Sequence, residues 1–116
     1  MKTTAPFGSW KSPITSALLT SSGIGLSELH FSHGNLFWLE SRPDESGRVV
    51  VVRCELGGEL SDAIPQGFNA RTRVHEYGGG AYFVHNETIF FSNFKDQRLY
   101  RQDPGVSPTP ITPDPP

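Results

Sequence analysis

Past residue 24 the apolar positions come in short runs separated by turn signals. Leu36-Phe37-Trp38-Leu39, Val49-Val50-Val51-Val52 and Ile89-Phe90-Phe91 are rich in β-branched and aromatic residues, and each is four residues or fewer. Such runs are too short for helices. Being apolar at consecutive positions, they predict strands buried on both sides. The breaks between them carry glycine: His33-Gly34-Asn35, Asp44-Glu45-Ser46-Gly47 and Leu56-Gly57-Gly58-Glu59. Breaks of this length read as hairpins. One helix is predicted near the start, with Ser12 as N-cap, Pro13 at the first helical position and Ile14, Ala17 and Leu18 at helical spacing.

The runs repeat. Leu36-Phe37-Trp38-Leu39-Glu40 falls on Ile89-Phe90-Phe91-Ser92-Asn93 at an offset of 53, and Val51-Val52-Arg53-Cys54-Glu55 falls on Leu99-Tyr100-Arg101-Gln102-Asp103 at an offset of 48. At the second offset Ala63-Ile64-Pro65 meets Ile111-Thr112-Pro113. The change of offset is a shortened loop in the second copy. Four short strands per copy, repeating at roughly 50 residues, match the blade of a β-propeller. The predicted fold is all-β: two four-stranded antiparallel blades of an incomplete β-propeller, with a short N-terminal helix. The predicted division is an N-terminal segment with the helix over 1–25, blade one over 26–66, an interblade link over 67–79, and blade two with a Pro-rich end over 80–116.

Propellers close with about four to eight blades. Two therefore predict the N-terminal piece of a longer protein, with aromatics such as Phe90, Phe91 and Tyr100 on an outer face lacking its partner. The rival is closure by self-association through exposed blade faces.

Composition narrows the function classes. The 116 residues carry 10 Lys+Arg against 12 Asp+Glu, a formal net charge of -2, so no broad basic footprint for nucleic acid or anionic membrane is expected. A single cysteine makes no internal disulfide and no cysteine-based metal cluster. No run approaches the roughly 18 apolar residues of a membrane span, and Ala17-Leu18-Leu19 is too short for a signal-peptide core. A cytoplasmic chain is the expectation. The 12 Gly and 10 Pro fit a chain rich in turns, with five prolines between Pro108 and Pro116.

The most distinctive segment is Arg71-Thr72-Arg73-Val74-His75-Glu76-Tyr77-Gly78-Gly79-Gly80-Ala81-Tyr82, in the link. It is no dinucleotide fingerprint, because a strand and not a helix follows the glycines. The glycines are expected to let the innermost strand of a blade pass close to its neighbours. Arg73, His75 and Glu76 are the candidates for a channel or interdomain contact, with a buried Arg–Glu pair pinning the link as the structural alternative. His30 and His33 fall on opposite faces of a strand and predict no metal site. His85 beside a turn, and Asp44-Glu45 within one, read as solvated. Cys54 shares a strand face with Val50 and Val52 and reads as a small buried side chain. No serine lies in Gly-x-Ser-x-Gly, so no catalytic residue, cofactor or metal is expected.

Longer stretches resemble a known family. Gly8-Ser9-Trp10-Lys11-Ser12-Pro13-Ile14-Thr15, then Trp38-Leu39-Glu40-Ser41-Arg42-Pro43 with Gly47-Arg48, look like the opening of prolyl oligopeptidase family serine peptidases of the acylaminoacyl-peptidase and dipeptidyl-aminopeptidase-like kind. The Arg71–Tyr82 motif, Ser92-Asn93-Phe94, Asp96-Gln97-Arg98-Leu99-Tyr100-Arg101-Gln102 and Pro110-Ile111-Thr112-Pro113 strengthen the likeness. The resemblance implies an N-terminal propeller, usually of seven blades, over a C-terminal α/β-hydrolase domain whose Ser-Asp-His triad cleaves short peptides or removes N-terminal residues. No triad member maps onto this sequence. The partners implied are the missing blades and the hydrolase domain, with peptide substrate in the parent only.

Overall fold

The structure is a computed structural model, and it describes residues 2, 4–9, 11, 13–14, 16–17, 23–74 and 79–115. Ser16 and Ala17 have helical backbone, but Ser12, Thr15 and Leu18 lie outside the described residues, so the expected N-terminal helix is not shown.

Two four-stranded antiparallel sheets make up the fold. The first holds β1 (Gly25–Ser32), β2 (Asn35–Arg42), β3 (Arg48–Cys54) and β4 (Leu60–Asp62), in sequential order. The second holds β5 (Tyr82–His85), β6 (Thr88–Asn93), β7 (Arg98–Gln102) and β8 (Thr109–Pro110), in the same order. These are propeller-like blades, as the repeat predicted. The register matches the sequence offsets residue for residue. Phe37 pairs with Arg53 and Phe90 with Arg101; Arg53 pairs with Ser61 and Arg101 with Thr109. At the sheet edges the Ala63 N–H donates to the Val51 carbonyl (2.7 Å), and the Ile111 N–H to the Leu99 carbonyl (2.8 Å).

The blades meet face to face. Phe37, Leu39 and Val51 on one, and Tyr82, Val84, Ile89, Phe91 and Tyr100 on the other, belong to one buried cluster. Phe91 (1%) and Tyr100 (8%) therefore face inward, which corrects the expectation of an outer aromatic face. Phe68, from the link, stands edge-on to both rings at 5.7 and 5.1 Å. Only Phe90 of the three lies half-buried on the outer side. The strands are not apolar-buried on both faces throughout: Leu36 is 38% exposed where Phe37 is 2%. Burial of Phe91, Ile64, Val50 and Val51, all fully enclosed, stabilises the fold by about 1.5–3 kcal/mol per side chain.

Two local readings change. Glu45 is not free in solvent but partly exposed and paired: it accepts from Arg42 (3.1 Å) and Arg48 (3.1 Å) at the end of the 3-10 turn Pro43–Glu45. Cys54 is half-exposed at the end of β3, where the strand stops, its thiol 3.6 Å from the Glu55 carbonyl.

Candidate functional site

The link between the blades is fastened where it begins. The Ala70 N–H donates to the Val49 carbonyl (2.9 Å) and the Arg71 N–H to the Ser92 carbonyl (3.1 Å), so one residue pair stitches β3 to β6. Asn69 and Asn93 complete the clip. The Asn69 side-chain oxygen accepts from the Val49 N–H (3.0 Å), and the buried Asn93 oxygen accepts from the Asn69 N–H (2.9 Å). Asn93 then donates to Asp96 (3.2 Å). Burial works against charge on Asp96, but donation from the Tyr100 hydroxyl, the Arg98 N–H and Asn93 outweighs it and holds the carboxyl below its ordinary range. Arg48 braces the same stretch from blade one through the Phe68 (2.7 Å) and Pro65 (2.8 Å) carbonyls.

Beyond the clip, Arg71 and Arg73 both lie over the Phe94 ring, at 4.7 and 4.8 Å from its centroid. Arg73 is exposed and makes no ion pair among the described residues. Among the described residues the Phe94 ring is what meets its guanidinium. His75 and Glu76 lie outside the described residues.

The link ends at Gly79 and Gly80, with φ of +109° and +60°. A Cβ at either would meet nothing within 4 Å. Within this chain these two glycines serve backbone conformation, with no neighbour approaching them closely. Glu28 holds this end. It sits in a bulge of β1, in left-handed backbone (φ +52°), where the pairing register slips between Ser27 and His30. Its carboxylate accepts from the Gly80 N–H (2.8 Å), and its carbonyl accepts from the Tyr82 hydroxyl. Burial first, then the Glu28 charge, push the Tyr82 phenol well above its ordinary pKa. His30 adds an edge-on ring contact to Tyr82 at 4.9 Å.

A cleft of about 240 Å³ opens between these two fastenings, lined by residues that include Glu28, Leu39, Val49, Arg71 and Ala81. Glu28 and Phe94 were not among the sequence candidates. Glu28 had a signal: Leu26, Leu29 and Phe31 break the period of two by one residue, which is the mark of a bulge.

None of the described histidines, His30, His33 and His85, hydrogen-bonds a serine; His33 donates to Asn86 (2.9 Å) and His85 lies 3.2 Å from the Asn86 amide. No group of three or more His, Cys, Asp or Glu able to hold a metal occurs among the described residues. No helix among them is long and apolar enough to cross a membrane.

No protein-family model matches the chain, and neither does any curated protein. Solved structures do. A puromycin-hydrolyzing peptidase of Mycobacterium tuberculosis is 40% identical over 98% of this chain, with a TM-score of 0.82. A puromycin hydrolase is 36% identical over 97%, with a TM-score of 0.73, and a mutant of puromycin hydrolase complexed with PGG is 36% identical over 95%, at 0.72. The chain spans 18% of the length of each. Over nearly its whole length, then, the chain is related to peptidases of the prolyl oligopeptidase family, matching a small N-terminal part of them.

Proposed function

We propose that the chain is the first two blades of the propeller of a prolyl oligopeptidase family serine peptidase and does not catalyse alone. In the parent this propeller gates access to an α/β-hydrolase domain that hydrolyses short peptides or removes N-terminal residues. The observation that carries the reading is the 40% identity over 98% of this chain, set against 18% of the neighbour. The division into blade one (26–66), link (67–79) and blade two (80–116) belongs to the same proposal, as does a cytoplasmic location. Arg73, His75 and Glu76 are proposed as the channel or interdomain contact. Puromycin, the compound in the neighbours' names, is the first substrate to try on the parent.

The coding DNA that follows tests the reading. A Gly-x-Ser-x-Gly hydrolase in some frame supports it; none in any frame removes its main support. The chain itself should show no labelling by a fluorophosphonate serine probe.

One observation favours a second reading, a stand-alone module that self-associates or pairs with a separate hydrolase. Leu26, Leu29 and Phe31 on β1 are 65%, 68% and 71% exposed. A discrete oligomer in size-exclusion chromatography would favour the module; a monomer or an aggregate would favour the fragment.

A further inference from the structure

The charged groups around the interblade cleft are distributed unevenly. Arg42, Arg48, Arg53, Arg98 and Arg101 each reach a carboxylate, at distances from 2.6 to 3.7 Å. Arg71 reaches none among the described residues, where its guanidinium lies over the Phe94 ring. Glu28 is the mirror case. Its carboxylate accepts one backbone N–H, from Gly80, and meets no cation among the described residues. These two opposite charges line the same cleft without pairing. Glu28 is partly withdrawn from water and Arg71 is exposed; each keeps hydrogen-bonding capacity that no described residue uses, which favours an occupant that answers both.

The geometry points to a site for a free α-amino acid or very short peptide zwitterion, its ammonium on Glu28 and its carboxylate on Arg71. A guanidinium stacked on a ring keeps its N–H edge for a carboxylate, which its fork matches in shape. Leu39, Val49 and Ala70 line the same cleft and give it apolar surface. At about 240 Å³ the cleft is smaller than those that take drug-sized ligands, and suits a single residue with an aliphatic side chain. The site stands on this chain alone and survives failure of the peptidase reading.

The test is titration of the ¹⁵N-labelled chain with L-leucine at neutral pH, read by amide NMR. N-acetyl-leucine, which lacks the ammonium, and leucinamide, which lacks the carboxylate, are the controls. Saturable shifts at Gly80 and Ala81 are expected in the millimolar range, the affinity of a few charge-assisted bonds at an open site. Either blocked analogue, and either of Glu28→Gln and Arg71→Gln, should weaken binding at least about tenfold, roughly the 1.5–3 kcal/mol of one charged hydrogen bond. Glu28→Gln retains an acceptor for Gly80. If it nevertheless unfolds, by loss of amide dispersion, Arg71→Gln carries the test, since that side chain is exposed. No saturable shift in the folded chain, equal binding of the blocked analogues, or indifference to Arg71→Gln overturns the proposal.

Discussion

The Tyr82 hydroxyl donates to the backbone carbonyl of Glu28 across the seam between the two sheets. That bond joins the first residue of β5 to the bulge of β1, and Tyr82 is 5% exposed. Tyr82→Phe keeps the ring and its contact with His30 but leaves the carbonyl with one partner fewer. It should cost about 1 kcal/mol, read as a lower urea midpoint at unchanged slope. The phenol's pKa is raised in the folded state, so its stabilisation is present below the unfolded value, about 10, and is lost as pH rises beyond it. The difference between Tyr82 and the Phe variant should therefore shrink in alkaline solution. A constant difference up to pH about 11 would disconnect the phenol from the stability.

How much of this was legible in the sequence depends on the range of the interaction. Hairpins and register are local and repeat-encoded, so the offsets of 53 and 48 located β2 against β6 and β3 against β7 correctly. Which face turns inward is not local. Phe90 and Phe91 are both apolar, and only the packing of the other blade and of Phe68 from the link makes Phe91 the buried one. The candidate site divides the same way. The Arg71–Tyr82 motif marked the link, yet Glu28, in the bulge of β1, and Phe94, in the turn after β6, hold its two ends from elsewhere in the chain, and neither was singled out as a site residue.

Arg42 donates to both oxygens of Asp62, at 2.8 and 2.6 Å, tying β2 to the edge strand β4. The Asp62 side chain is 39% exposed, so water and salt screen the pair. Asp62→Asn should cost only about 0.5–1 kcal/mol at neutral pH, and less at high salt. The Arg42 hydrogen bonds hold the Asp62 carboxyl below its ordinary value against burial. Its contribution is therefore present above the unfolded pKa, about 4, and is lost as pH falls through the lower folded one. Urea curves of the two proteins should converge below pH about 4; parallel curves there would contradict the pairing.

Asn93 is a buried side chain with little tolerance for truncation, being 4% exposed with both ends of its amide bonded. Asn93→Ala leaves the Asn69 N–H without its acceptor and removes a donor from Asp96. The expected loss is about 2–3 kcal/mol, the cost of unsatisfied buried groups, and hydrogen exchange at Asn69 and Ala70 should accelerate along with the global loss. Asn93→Asp keeps the acceptor but sets a second carboxylate beside Asp96. That variant should lose stability at neutral pH and recover part of it as pH falls and the pair takes up a proton.

The two hairpins that open the sheets have the same backbone and different residues. His33 and Gly34 have φ of +49° and +79°, and Asn86 and Glu87 have +48° and +66°. Both central positions left-handed is the type I′ turn, for which Asn-Gly is preferred. The first copy has glycine at the second position and the second copy has Glu87, which carries the left-handed cost of about 1–2 kcal/mol. In return Glu87 lies 3.7 Å from Arg53 and accepts from Asn35 at 3.4 Å, both long contacts at a half-exposed site. The backbone term is the larger, since exposed ion pairs contribute about 0–1 kcal/mol. Glu87→Gly should therefore stabilise the chain by about 0.5–1 kcal/mol. Gly34→Ala is the opposite change. It introduces a side chain at φ +79°, with a Cβ 3.2 Å from the Leu56 Cδ1, and should destabilise by about 1 kcal/mol. Urea midpoints of the two variants displaced to opposite sides of wild type would bear out the turn strain; a loss in Glu87→Gly would show that the contacts with Arg53 and Asn35 outweigh it.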